Sequence, residues 1–217
     1  MHSMTIATRS MFSLALIALA GCFGLNRGDP SQSHFVLGLG LEPVDAEGAG
    51  PTGEVPGIAV GLRPLRLAEY LQSPLIVVRR GAHRIEFSEF QRWGETLDQG
   101  INRTVAGYMA GREPFRSVEY APWPIRSEHD YVIQLQILRF EGLAPDGPVA
   151  TVGEALVLAS WEILRGADGA LLSSGTTEYH GPGWTVGDYD GLVSLLETGL
   201  SKLADDLVAA LASLSTP

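Results

Sequence analysis

The only cysteine in this 217-residue chain, Cys22, stands directly behind the uncharged stretch Met11-Phe12-Ser13-Leu14-Ala15-Leu16-Ile17-Ala18-Leu19-Ala20-Gly21. A run of that length is too short to cross a bilayer as a mature helix, which takes roughly 20 apolar residues. Arg9 precedes it, and no acidic residue occurs before it. A positive start, a short apolar middle and a small-residue end describe an export signal over residues 1–21, so the fold has to come from the residues beyond Gly21. One thiol makes no intramolecular disulfide and supplies no thiolate cluster for zinc or for iron and sulfur. Stability must therefore come from a hydrophobic core, and a chain that is 45% hydrophobic is long enough to bury one.

Leu19-Ala20-Gly21-Cys22 resembles the bacterial lipobox, in which the signal is cut immediately before the cysteine and lipid is attached to its sulfur. The resemblance implies a diacylglyceryl group and an N-acyl chain on Cys22. Each buried methylene contributes about 0.8 kcal/mol, and two or more chains hold where one binds only reversibly. Phe23 follows the cysteine, where an Asp would be the usual inner-membrane retention signal. The resemblance thus implies the periplasmic face of the outer membrane. Residues 22–33 are polar and carry Gly and Pro, as a flexible tether does, which leaves residues 34–214 for a single folded domain. Beyond the covalent lipid no cofactor is expected.

Fifteen Lys and Arg against 25 Asp and Glu give a formal charge of -10. That leaves no broad basic surface for phosphate backbones, so nucleic acid is not an expected partner. Long-range attraction would draw basic or neutral partners instead.

Strand signals are frequent. His34 to Leu39, Ile58 to Leu65 and the β-branched run Leu75-Ile76-Val77-Val78 are candidates, and Arg84-Ile85-Glu86-Phe87-Ser88 alternates. Gly81 suits a hairpin turn between the last two. Tyr131, Ile133, Leu135 and Ile137 share one face of a later strand, with Gln134 and Gln136 on the other. Val152 to Leu164 turns at Asp168-Gly169 into Ala170 to Tyr179. Residues 42–57 read as a mobile loop. Phe90, Trp93, Leu97, Ile101, Val105 and Tyr108 fall at helical spacing, with Ser88 as cap and Gly111 as stop. A second helix runs from about Tyr189 to Leu214, with Leu192, Leu195, Leu196, Leu200, Leu203, Leu207 and Leu211 on one face and Asp188 or Asp190 at its start. The expected class is α+β (layered α/β): a mixed, largely antiparallel sheet packed by two long amphipathic helices.

No catalytic constellation emerges. Glu86 and Glu89 with His83 suggest an acid/base set, yet Glu86 suits the polar face of a half-buried strand and Glu89 the first turn of a helix. His129-Asp130 and His180 lack the spacing that sets two metal ligands on one helix face. Neither a Gly-x-Ser-x-Gly elbow nor a Gly-x-x-x-x-Gly-Lys-Ser/Thr loop occurs, so energy for any transport must come from another subunit. Asn102-Arg103-Thr104 matches a glycosylation sequon by coincidence inside an expected helix. Trp93 and Trp161 fall on expected core faces. Trp123 between two prolines and Trp184 after Gly181-Pro182-Gly183 are expected on loops, either folded over the core or offered to a partner. Arg79, Arg80 and Arg84 form a local basic cluster, either a solvated turn or a docking point for an acidic partner edge or a lipid headgroup.

The succession of lipobox, short first strand, Val60-Gly61-Leu62-Arg63-Pro64-Leu65-Arg66-Leu67-Ala68-Glu69-Tyr70-Leu71, Pro74-Leu75-Ile76-Val77 and Glu89-Phe90-Gln91-Arg92-Trp93-Gly94-Glu95-Thr96-Leu97 resembles the ABC-type transport auxiliary lipoprotein family. That group includes the paraquat-inducible protein C type lipoproteins. Asp130-Tyr131 to Gly142 and the closing amphipathic helix extend the resemblance over most of the mature chain. It implies a non-enzymatic component of an envelope lipid-transport system, with an MCE-domain protein and inner-membrane permease or ABC subunits as partners. Such conduits are symmetric, which points to a homo-oligomeric ring. The other readings are a solute- or lipid-binding lipoprotein and, further off, an envelope hydrolase.

Overall fold

The computed structural model describes residues 32–41, 57–112, 114–124, 127–147 and 151–215. Cys22, the tether up to residue 31 and most of the 42–57 loop lie outside them. The described chain forms nine strands and two α-helices: β1 (Ser33–Phe35), β2 (Ile58–Leu62), β3 (Arg66–Leu67), β4 (Leu75–Arg80), β5 (Arg84–Trp93), α1 (Leu97–Ala110), β6 (Phe115–Tyr120), β7 (Tyr131–Ala144), β8 (Val152–Arg165), β9 (Leu171–Thr185) and α2 (Tyr189–Ser215). A 3-10 turn, Glu69–Gln72, joins β3 to β4. The architecture is the expected α+β fold, a mixed sheet with two helices.

β7 organises the sheet. One edge pairs antiparallel with β8 along nearly its whole length, and β8 pairs antiparallel with β9. Along the other edge β2, β3 and β4 take successive places, each parallel to β7. Ile133, Leu135 and Ile137 are fully buried on the helix-covered face, as their alternation requires. Continued alternation would then turn Arg139 and Glu141 into the core. A bulge between Ile137 and Arg139 resets the parity. Phe140, Gly142 and Ala144 therefore face the core, and Arg139 and Glu141 face the other way.

α2 matches the leucine stripe closely. Six of its seven expected leucines are completely buried and Leu195, at the edge of the stripe, is half-buried; Asp188 Oδ1 accepts the Gly191 N–H at 3.1 Å, which closes the helix start. Gly199 lets the helix approach β8, because a Cβ there would stand 2.5 Å from Val157 Cγ2. Thr177 of β9 donates its hydroxyl to Asp206 Oδ2 at 2.8 Å, which ties sheet to helix.

α1 departs from its expected start. Its cap is Thr96, and Phe90 and Trp93 belong to β5. Strand pairing overrides the helical spacing here: Trp93 N–H donates to Pro74 O at 2.8 Å, and Gly94 N–H donates to Phe35 O at 2.7 Å. Ser88 caps nothing and bonds Gln91 O within the strand. The first strand is shorter than expected, and β6 carries no sequence pattern that announced it.

β9 also runs past its expected end. A bulge at Gly183, opposite Gly153 and Glu154, carries the ladder through Pro182 to Thr185. Trp184 is thereby a strand residue, 1% exposed, with its ring against Gly142 and its indole N–H donated to Asp188 O at 2.7 Å. It is a core residue, which removes it as a surface contact. Trp184→Ala is expected to cost about 3–5 kcal/mol, read as a lowered free energy of unfolding in urea.

Candidate functional site

The β4–β5 hairpin brings the three arginines to one turn, where Gly81 takes a φ of +60°, but alternation sends them to different faces. Arg80 Nε donates to Glu86 Oε2 at 2.7 Å. Arg84 lies 3.4 Å from Asp146 Oδ1 and 3.6 Å from Glu86 Oε1. Arg79 points to the face away from the helices, where Nε donates to Glu141 Oε1 at 2.7 Å and Nη2 to Oε2 at 3.2 Å. The expected basic cluster is thus divided among carboxylates, and Glu86 is held by arginines instead of joining His83 and Glu89 in an acid/base set.

The buried member of this group is one that the sequence motifs leave unmarked. Glu141 is 0% exposed and also accepts Arg139 Nε at 2.8 Å and the Tyr70 hydroxyl at 3.0 Å. Two guanidiniums and a phenol therefore share one carboxylate. Burial, then the Glu141 charge, push the Tyr70 hydroxyl up to about 12, so it stays a proton donor. One signal in the sequence does point here: Arg139-Phe140-Glu141 puts two charges inside an otherwise apolar strand.

At the opposite end of β7, Trp123 is half-buried and meets the His129 ring edge-on, with centroids 4.8 Å apart. His129 Nε2 lies 3.0 Å from Glu119 Oε2, and Gly61 leaves room for the imidazole. Asp130 Oδ2 accepts the Ala59 N–H at 2.8 Å and Arg116 Nη1 at 2.9 Å. These groups border an open groove of about 920 Å³. A second groove, of about 570 Å³, has Leu65, Leu71, Trp93 and Leu97 in its lining, together with Glu95 and Asp98.

His180, on β9, stands between two carboxylates: Nδ1 is 3.2 Å from Glu154 Oε1 and Nε2 is 3.0 Å from Glu178 Oε1. Both pairings raise its pKa above 6.5, Glu178 more than Glu154. Among the described residues, no group of three or more His, Cys, Asp or Glu is disposed to hold a metal ion, and no helix is long and apolar enough to cross a membrane.

A family model described as ABC-type transport auxiliary lipoprotein component matches residues 40–208. No curated protein matches the chain. Among solved structures, a Xanthomonas campestris protein of family DUF330 is 16% identical, with a TM-score of 0.59 over 82% of this chain and 90% of that one. An uncharacterized protein is 15% identical, with a TM-score of 0.58 over 73% and 96%. A PelC dodecamer from Paraburkholderia phytofirmans is 17% identical, with a TM-score of 0.41 over 69% and 89%. The first two likenesses show a shared fold and nothing finer. At the last score, the dodecameric state remains a property of that protein.

The geometry makes two measurable demands. Glu141→Gln leaves two guanidiniums around an uncharged amide and is expected to cost about 3 kcal/mol, the low end for a broken buried pair because both arginines keep some contact with water. Urea unfolding reads this directly. For His180, the folded-state pKa is raised, so its stabilisation is complete below about pH 6.5 and is lost as pH rises through the folded value. His180→Gln should therefore lower Tm in mildly acidic buffer and leave it unchanged in alkaline buffer.

Proposed function

Since this chain belongs to the ABC-type transport auxiliary lipoprotein component family, matched over residues 40–208, we propose that it is the lipid-anchored docking component of an MCE-type lipid-transport system. On this reading Cys22 carries the acyl chains, and the tether holds the domain at the periplasmic face of the outer membrane. The domain receives the outer end of a conduit built by an MCE-domain protein, with inner-membrane permease and ABC subunits supplying energy. Copies of the chain associate into a ring around that end. The family match is the observation that carries the reading, and the lipobox at Leu19 to Cys22 supports the anchor.

The division of labour suits the residues. Arg84, with its side chain 61% exposed, and the half-buried Trp123 are the expected contacts that stay reachable from solvent, whereas Arg79 is committed to Glu141. Arginine and tryptophan are the side chains that most often concentrate binding energy at interfaces.

A second reading, a lipoprotein that itself binds lipid, is favoured by the groove over Leu65, Leu71, Trp93 and Leu97. It differs in a measurable way, since lipid would be extracted from the purified protein in stoichiometric amount. The docking reading expects none.

Cys22→Ser should move the protein from the membrane fraction to the soluble fraction after cell disruption. Retention in the membrane fraction would overturn the anchor. Cross-linking in intact cells, with subsequent purification of the full-length chain, should recover an MCE-domain protein with the wild type and lose most of it with Cys22→Ser.

A further inference from the structure

Where β7 begins, the strand order across the sheet is β6-β2-β7-β8-β9, with β6 paired to β2 alone and β9 to β8 alone. One row crosses all of them: Tyr120, Leu62, Ile133, Ile163 and Ser173. An edge strand presents unpaired N–H and C=O groups to any further strand, and β9 is 15 residues long. Its two halves are built differently. From Glu178 to Thr185 it carries what blunts an edge: the charged Glu178 and His180, then Pro182, then the bulge at Gly183. From Leu171 to Thr177 it has neither charge nor proline, and Ser173 to Thr177 hold an unbroken register on β8. Leu171 is 58% exposed, and among the described residues the backbone of this half bonds only β8.

We propose that the Leu171 to Thr177 edge of β9 takes β6 of a second copy as its next strand, so that the sheet continues from one copy to the next. The inference rests on the reading of the chain as a ring-forming component and names the two edges that meet. β6 and β2 run parallel to β7, and β9 does so as well, because it is antiparallel to β8, which is antiparallel to β7. Rotation about an axis along the strands therefore brings the two unlike edges together with their strands pointing the same way. The contact is heterologous, each copy giving β9 to one neighbour and β6 to the other, and such contacts close into a ring. The ladder is parallel, with slanted, evenly spaced bonds from alternate residues of each strand.

Both edges suit this contact. The charges on β6 are already matched within their own chain: Arg116 Nη1 lies 2.9 Å from Asp130 Oδ2, and Glu119 Oε2 lies 3.0 Å from His129 Nε2. An uncharged strand can therefore join β6 without leaving a charge unpartnered. Tyr120, at the end of β6, is 36% exposed, so each edge keeps one large side chain open to a neighbour at the level of the shared row. α1 packs on β6 and α2 on β9 from the same side of the sheet, so the helix layer continues with the strands. Continued without a shift, the row places Ser173 beside Tyr120 of the second copy, at the strand spacing of about 4.8 Å. The blunted half of β9 lies farther along the strand, beyond the end of β6.

The test is cross-linking of the full-length chain in detergent with a short bismaleimide, with the wild type, whose one cysteine is Cys22, as the blank. The double variant Tyr120→Cys/Ser173→Cys should give a ladder of covalent dimers, trimers and larger species. Either single variant alone should stay at the blank, and the two singles mixed should stop at a dimer, because the contact joins unlike edges. Tyr120→Cys/Thr185→Cys, with its second thiol in the blunted half of β9, should give no ladder. Circular dichroism reports whether each variant is folded. No ladder from the folded double variant, or a dimer from Ser173→Cys alone, overturns the proposal. Light scattering on the same samples separates this edge from self-association in general. An oligomer that the double variant fails to link overturns the edge contact and leaves the ring standing, and a strict monomer overturns both.

Discussion

One backbone irregularity, the bulge between Ile137 and Arg139, determines what the sheet offers on each side. Without it, the strict alternation of a strand would drive Arg139 and Glu141 under the helices and Phe140 into solvent. Burying two charges in a helix-covered core costs several kcal/mol per ion unless every donor and acceptor is matched. The bulge uses one extra residue, Leu138, to exchange that conflict for a charged cluster on the opposite face. Leu138 remains useful there, because its carbonyl accepts the Tyr70 hydroxyl. The 3-10 turn carrying Tyr70 is thus fixed by the same irregularity that made the cluster necessary.

The helix side shows a complementary logic based on small residues. Gly142 and Gly153 make room for the Trp184 ring, and Gly199 admits Val157 and Tyr179 against α2. Each glycine gives up a side chain so that a larger neighbour can fill the space at native density. Trp184 then meets the first turn of α2 through Asp188, whose carbonyl takes the indole N–H while its carboxylate caps the helix. The end of β9 and the start of α2 are locked by one residue acting in two directions.

Much of this is legible in the sequence wherever a single periodicity governs a segment. The leucine stripe of α2, the β7 alternation through Ile137 and the Asp168-Gly169 turn all encode local geometry, and the structure obeys them. The failures share a cause, which is that a non-local partner outweighs a local signal. Phe90 and Trp93 have helical spacing, but β1 and β4 offer their backbone a ladder. Gly181-Pro182-Gly183 reads as a loop, but Gly183 is taken up as a bulge in β9 opposite Gly153 and Glu154 of β8, which lets the strand continue. The Glu141 cluster draws on three separate segments, 70, 79 and 139–141, and no local pattern links them. Its one trace is a charge in a place where charges are rarely left unpaired.

The chemistry of the outward face bears on what such a domain can do. A general acid or base works best with a pKa near the operating pH and with a proton free to move. Tyr70 has been moved away from that range, and its hydroxyl is held on Glu141 and Leu138 O. His180 has a carboxylate at each ring nitrogen, and both pairings raise its pKa, Glu178 more than Glu154. Tyr70 is thereby held as a hydrogen-bond donor, and His180 as a cation at mildly acidic pH, each fixed by its carboxylate partners. Charges held in place on a rigid sheet are the kind of feature that electrostatic complementarity uses to favour one register of a partner over another, which suits the docking role proposed above.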